Sequence, residues 1–332
     1  VSLDRGVGDG RGDVGAGGDV ADPAPRVIHT GQALVDVVLE VPGLPRRGGN
    51  VVAHGCARHA GGAVTILLAA ARSGARCVHA GAHGTGPHGD MVRSALADDG
   101  VELASPPVLD QDTGSCLVLL EPGGERTFVT THEAEREISV ASLDAAHPRP
   151  GDLVCVSGYS LHGRTREPLL TWLAGLPEGV VVVLDPGDAL EGLPAELVTQ
   201  VLARTSVWTS NLDEASALTG ASGMADAADA VRALLPAGAV TIVRDGPAGC
   251  AVSVCDAGAT VLAGFPERAV DTNGAGDTHT GVLVAERARG TGWVEACRRA
   301  NAAAAVKVTR RGPTTAPGHA EIDAYLARQV SG

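Results

Sequence analysis

The sequence predicts an α/β fold: a mostly parallel central sheet covered by helices on both faces, with a small β-sheet added to it. Three observations carry that prediction. Short β-branched runs alternate with Ala- and Leu-rich helical stretches from residue 26 onward. The chain has 332 residues, 44% of them apolar and 20% charged, which suits one large domain. At 114–131 two strand patterns flank a Pro-Gly-Gly turn and interrupt the alternation, as an added hairpin would.

Each element follows from local signals. Residues 1–25 are rich in Gly and Asp, with almost no large apolar side chains, and are read as a disordered tail ahead of a domain at 26–332. VIHTG is a short buried strand ending in a glycine turn. ALVDVVLEV continues as apolar chain and carries Asp36, and VVAHGCARH shows a strand pattern. Gly61-Gly62 opens an Ala-rich helical run to Arg72, which Gly74 closes. CVHAGAHG is a strand and DMVRSALADDGV an amphipathic helix. SCLVLLE and RTFVTTH form the hairpin. The alternation resumes with DLVCVSG, REPLLTWLAGL, VVVVLDPG, LPAELVTQVLA and SVWTSN. Helices start near Asp213 and Asp226; AVTIVRDG and ATVLAG are strands; helices occupy about 275–290, 293–308 and 319–329.

Composition excludes several classes. Lys plus Arg number 26 and Asp plus Glu 39, a net charge of −13, which opposes sequence-independent binding to nucleic acid. No apolar run reaches the roughly 18 residues of a membrane span. The opening VSLDRGVGDG lacks the apolar core of a secretory leader. The seven cysteines form no CxxC pair and sit mostly among apolar residues, which points to free thiols in a reducing cytoplasm.

The chemistry concentrates in AVDTNGAGDTHTGVLVAERARG, residues 269–290. A Gly274-Ala275-Gly276 turn precedes Asp277 where a helix begins. Small residues let backbone approach a ligand, and converging N–H groups suit a phosphate. Those donors and the helix dipole are expected to keep Asp277 ionised. A carboxylate beside such a nest can take the proton of a hydroxyl that receives a phosphoryl group. A helix-capping aspartate after a plain glycine turn explains the same residues. Neither GxxxxGK[ST] nor GxGxxG occurs at a strand–helix junction.

DTNGAGD resembles the C-terminal signature of the ribokinase/PfkB family of carbohydrate kinases. HAGGAVTILLAAARSGARCVHAGAHGTGPHGDMVRSALADDGVE (59–102) is similar to its N-terminal signature. SNLDEASALTG (210–220) resembles its Asn-x-x-Glu element, and NAAAAVKVTRRGPTTAPG (301–318) its nucleotide-side helix and loop. The four matches run in order along nearly the whole ordered chain.

The resemblance implies a ribokinase-like fold whose added β-sheet, from about 38–58 and 114–131, is a lid over the substrate. It implies an ATP-dependent sugar kinase that uses Mg²⁺. Asp277 matches the general base, and Gly274, Ala275 and Gly276 match the anion hole. Asp36, Gly61 and Gly62 match sugar-contacting positions, while Thr65 stands where the family usually has an asparagine. Asp185, Asn211, Gly246 and Asn301 match positions near the nucleotide, and Glu214 one that holds Mg²⁺ through water. Arg244 departs from the family's usual Thr or Ser. Asp271, Asn273, Lys307 and Gly312 occupy the loops that would hold K⁺. A homodimer through the lid is also implied.

Seven aromatic residues, with only Phe128 in a lid segment, favour a free pentose or hexose over a nucleoside. A sugar acid or sugar phosphate would need a cation such as Arg58, Arg126 or Arg164 at the substrate's far end, although each also reads as a solvated surface residue. A silent sugar- or ATP-binding sensor is the alternative outside catalysis.

Overall fold

A computed structural model describes residues 24–254 and 258–330. The predicted tail, but for its last two residues, lies outside the described residues, as does Cys255. In chain order the first elements are β1 (Arg26–His29), β2 (Ala33–Glu40), β3 (Gly55–Gly62), α1 (Ala63–Arg72), β4 (Arg76–His79) and α2 (Pro87–Asp98). Then come β5 (Glu102–Leu103), β6 (Ser115–Leu120), β7 (Arg126–Thr130), α3 (Val140–Asp144), β8 (Leu153–Ser157) and α4 (Arg166–Ala174). The middle holds β9 (Val181–Asp185), α5 (Ala195–Leu202), β10 (Val207–Asn211), α6 (Leu212–Thr219) and α7 (Met224–Arg232). The C-terminal part holds β11 (Val240–Arg244), β12 (Gly249–Ser253), β13 (Thr260–Ala263), α8 (Ala275–Ala288), α9 (Trp293–Val308) and α10 (His319–Val330).

Nine strands form the main sheet in the order β13-β12-β11-β10-β9-β8-β1-β4-β5. From β11 to β5 all neighbours are parallel; only the β11–β12 and β12–β13 pairings, at one edge, are antiparallel. Alternate residues of each strand enter opposite cores. Val27, Leu153, Cys155 and Val183 pack with α1, α2, α8 and α9 on one face. Ile28, Val154, Val156, Val182 and Leu184 pack with α4, α5 and α7 on the other. Each fully buried Leu, Ile or Val contributes roughly 1.5–3 kcal/mol, and this two-sided burial is why the strands read as continuous apolar runs.

The second sheet has the order β3-β2-β6-β7. Register puts Asp36, His59, Cys116 and Thr130 in one row, with Val38, Ala57, Val118 and Phe128 in the next row of the same face.

Three local readings change. Gly61 and Gly62 end β3, and the helix starts one residue later at Ala63. β12 is an extra strand in GCAVS, and α3 and β5 are too short to show periodicity. Six described cysteines are free thiols; five are buried and Cys56 is exposed.

Candidate active site

The site forms where the carboxyl ends of the parallel strands meet the start of α8, as expected for such sheets. Gly274 is the N-cap of α8 with φ +76°, and a Cβ there would lie 2.7 Å from the Pro313 carbonyl. Only glycine fits both limits. Ala275 donates its N–H to Thr272 (3.2 Å), so the open donors of the first turn, among the described residues, are those of Gly276 and Asp277. The nest is therefore narrower than the Gly-Ala-Gly pattern suggests.

Helix α8 is fixed by close packing on α1. A Cβ on Gly281 would strike the Ile66 carbonyl and lie 2.7 Å from Ala69 Cβ. Thr65 is 1% exposed, and its methyl sits 3.1 Å from where a Cβ on Gly274 would be. It packs behind the turn rather than lining the cleft.

Asp36 leaves β2 toward β3, where its carboxylate lies over Gly61; a Cβ at Gly61 would collide with Asp36 Oδ2. Gly62 has φ +61° and lies against the Gln32 carbonyl. Burial raises the Asp36 carboxyl to about 6.

On the other side of Asp277, a cavity of about 580 Å³ collects Asp185, Asn211, Glu214, Arg244, Gly246 and Asn301. Asn211 and Glu214 form a reciprocal cap on α6. Glu214 N donates to Asn211 Oδ1 (2.8 Å) and Asn211 N to Glu214 Oε2 (2.9 Å). Burial and the negative charge of Asp185 raise Glu214. Gly246, with φ +48°, keeps the end of β11 open. Asn301 lines the cavity but commits its amide to protein: Nδ2 donates to Leu262 and Ala263 carbonyls (both 3.3 Å), and Oδ1 faces His279 Nε2 at 3.1 Å.

Arg244 is the residue whose role the sequence alone did not reveal. Its Nη1 donates to the Gly276 carbonyl and to Thr280 Oγ1, each at 2.8 Å. Its Nε donates to the Ser210 carbonyl, and Nη2 lies 3.5 Å from Asp185. The departure from a small hydroxyl residue was visible, but not what the guanidinium would reach.

Asp277 is partly accessible at the cleft yet crowded by protein. Its carboxyl is raised to about 7, first by burial, then by Asp185 and Asp36, against the opposing charges of Arg244 and Lys307. The expectation that helix-start donors would keep it ionised fails, because desolvation and two like charges outweigh a partial positive end.

Beyond the Gly274–Asp277 turn, Asp271 accepts the N–H groups of Asn273 and Gly312 (both 2.9 Å) and pairs with Arg126 at 3.0 Å. Arg126 also reaches Thr272, so the β6–β7 hairpin is tied to the turn. This corrects the reading of Arg126 as a solvated surface residue. Arg164 pairs with Glu137 at 2.5 Å, and Arg58 is exposed. Lys307 is fully buried and donates to the Asp271 carbonyl at 2.8 Å. Its side chain is itself a cation and so cannot ligate one. A second cavity, about 830 Å³, opens between the inner face of the small sheet and the 269–273 and 311–313 loops.

The fold is a ribokinase-like α/β sheet with a separate small sheet, and Asp277 lies in the first turn of α8. The model of the family described as "pfkB family carbohydrate kinase" matches residues 24–319. An uncharacterised sugar kinase of Escherichia coli, YegV, is 30% identical over 310 residues, covering 89% of this chain and 92% of that protein. A ribokinase of Haemophilus influenzae is 26% identical over 297 residues, 85% and 92% of the two chains. A crystal structure of a putative ribokinase II from Escherichia coli in complex with ATP and Mg²⁺ superposes with a TM-score of 0.76 at 24% identity, covering 92% and 99%. The chain belongs to the pfkB family of carbohydrate kinases, and it is an ATP-dependent kinase.

Proposed function

We propose that this kinase transfers the γ-phosphoryl group of ATP to a primary hydroxyl of a free pentose or hexose, with Asp277 as general base. The observation that carries the reading is the Asp277 carboxyl, set at the first turn of α8 in the wall of the cavity of about 580 Å³ and raised to about 7. A base is most effective when its pKa lies near the working pH.

Asp36 accepts two neighbouring sugar hydroxyls, which turns the primary hydroxyl toward Asp277. Gly61 and Gly62 let the ring approach the backbone. The hydroxyl oxygen attacks the γ-phosphorus, its proton passes to Asp277, and the bond to ADP breaks. The N–H groups of Gly276 and Asp277 stabilise charge on the transferring oxygens, with Gly274 and Ala275 shaping the turn. Asp185, Asn211, Gly246 and Asn301 bound the nucleotide.

The acidic neighbours Glu214 and Asp185 suit Mg²⁺: the charge of Asp185 disfavours that of Glu214, and a divalent ion would relieve that. Glu214 would hold the ion through water, with the phosphates supplying most of its other oxygen ligands; among the described residues no group of three or more His, Cys, Asp or Glu could hold a metal by itself. When bound, the ion screens the phosphate charge.

The small sheet serves as the lid, and we assign the protein to the cytoplasm. Val37, Leu117 and Val129 share a row on its outer face, ended by the exposed Arg58, with Leu39 and Leu119 beside them, a largely apolar surface that a second copy would cover. Among the described residues no helix is long and apolar enough to cross a membrane.

The test is ADP release with a panel of pentoses, hexoses and nucleosides, comparing the parent with Asp277→Asn. A free sugar should support turnover that the variant loses by roughly 10²–10⁴-fold, the usual worth of a general base. Sugar-induced stabilisation with no ADP release would instead favour a sensor.

A further inference from the structure

The monovalent cation implied by the family resemblance does not fit the loop meant to hold it. Lys307 already stands there. It is the only lysine in the chain; the other 25 of the 26 basic side chains are arginines. It is also fully buried, on α9, where a lysine ammonium costs several kcal/mol unless charged or polar partners receive it. The partner is the Asp271 carbonyl, at 2.8 Å. The Asp271 carboxylate lies in the same loop, held by the N–H groups of Asn273 and Gly312 and paired with Arg126. The Asp271 carboxylate thus pairs with one fixed cation while its carbonyl receives another, so a carbonyl that a bare cation would seek is already taken. A guanidinium is larger and planar, so arginine is no substitute at this one position.

We infer that the Lys307 ammonium is the built-in monovalent cation of this loop, a positioning residue that fixes the backbone leading into the anion turn and makes the enzyme indifferent to K⁺. Its ammonium tethers the end of α9 to Asp271, three residues before the Gly274 cap. It acts on the reaction through the aim of the Gly276 and Asp277 donors. The inference rests on the kinase reading for its consequence in turnover, but not for its structural content.

Two measurements test it. First, melting temperatures of the unaltered protein are compared in KCl and NaCl of equal ionic strength, without nucleotide or acceptor. They should coincide; a K⁺-specific rise would overturn the inference. This arm needs no turnover, so its result stands apart from failure of the kinase reading. Second, ADP release is measured with and without K⁺ for the parent and for Lys307→Ala. The parent should change less than about twofold. The variant should lose turnover by roughly tenfold or more and regain part of it with KCl or NH₄Cl, as a misaimed site would. Stimulation of the parent by K⁺, full activity in the variant, or a loss that neither salt relieves would each overturn it. If Lys307→Ala does not fold, the parent's response to K⁺ decides.

Discussion

At the scale of single residues, the site depends on opposing charges around Asp277. Arg244 lowers its pKa, and Asp185 raises it. The base works when deprotonated, so activity should rise with pH through a value near 7. Arg244→Met removes a favourable positive charge, so the acid limb of the kcat/KM profile should move to higher pH. Asp185→Asn removes a like charge, so the limb should move to lower pH. Both substitutions also disturb the nucleotide side and should reduce turnover, but the opposite signs of the two shifts distinguish electrostatic tuning from simple damage. Profiles measured from pH 5.5 to 9 check this; shifts in the same direction would count against Asp277 as the titrating base.

At the scale of elements, one helix contact sets the geometry of the turn. Helix α8 approaches α1 closely because Gly281 has no side chain opposite Ile66 and Ala69. Gly281→Val would force the helices apart. Overpacking of this kind costs about 1–3 kcal/mol, and displacing the turn should reduce turnover as well. Thermal unfolding together with ADP release checks both; a variant with normal melting and normal turnover would show that the contact does not position the site. The outer face of the small sheet carries a separate prediction. Leu117→Glu places a charge in the middle of its apolar row, so it should convert a dimer to a monomer in sedimentation experiments without unfolding the domain. A parent protein that sediments as a monomer would remove the dimer reading.

At the scale of the whole molecule, buried histidines and buried carboxyls pull acid stability in opposite directions. Burial holds His29 at about 4 and His79 at about 3, below their ordinary 6.5. The unfolded chain takes those protons first, so stability falls as the pH drops below about 6.5, by roughly 2 kcal/mol per histidine at pH 5. Asp277 and Asp36 lie above their ordinary 3.8, at about 7 and about 6. There the folded chain takes the proton first, so stability rises as the pH falls through those values. Between pH 7 and 5 that returns roughly 2 kcal/mol for Asp277 and 1 for Asp36. The two sets oppose each other across that range. Asp277→Asn should be more stable than the parent at pH 8 and should lose stability faster on acidification. Parallel melting curves for the two proteins would contradict the assignment of a strongly raised Asp277.

The sequence by itself determined the alternation of strands and helices, because two-sided burial writes itself as apolar runs of strand length and helix period. It also determined the glycine turn before Asp277, since only glycine adopts the backbone that Gly274 requires. The hairpin at 114–131 was legible from its turn chemistry. Short or weakly patterned elements such as β12 and α3 were not, because tertiary pairing rather than propensity makes them. What only the tertiary structure decided is electrostatic. Arg126 meets Asp271 across 145 residues of chain, and Arg244 reaches under α8 from another strand. Lys307 is the sole lysine in the sequence, yet its carbonyl partner lies in a different loop. The protonation of Asp277 follows from charges delivered by four separate elements, and a pattern along the chain records which charges exist but not which ones meet.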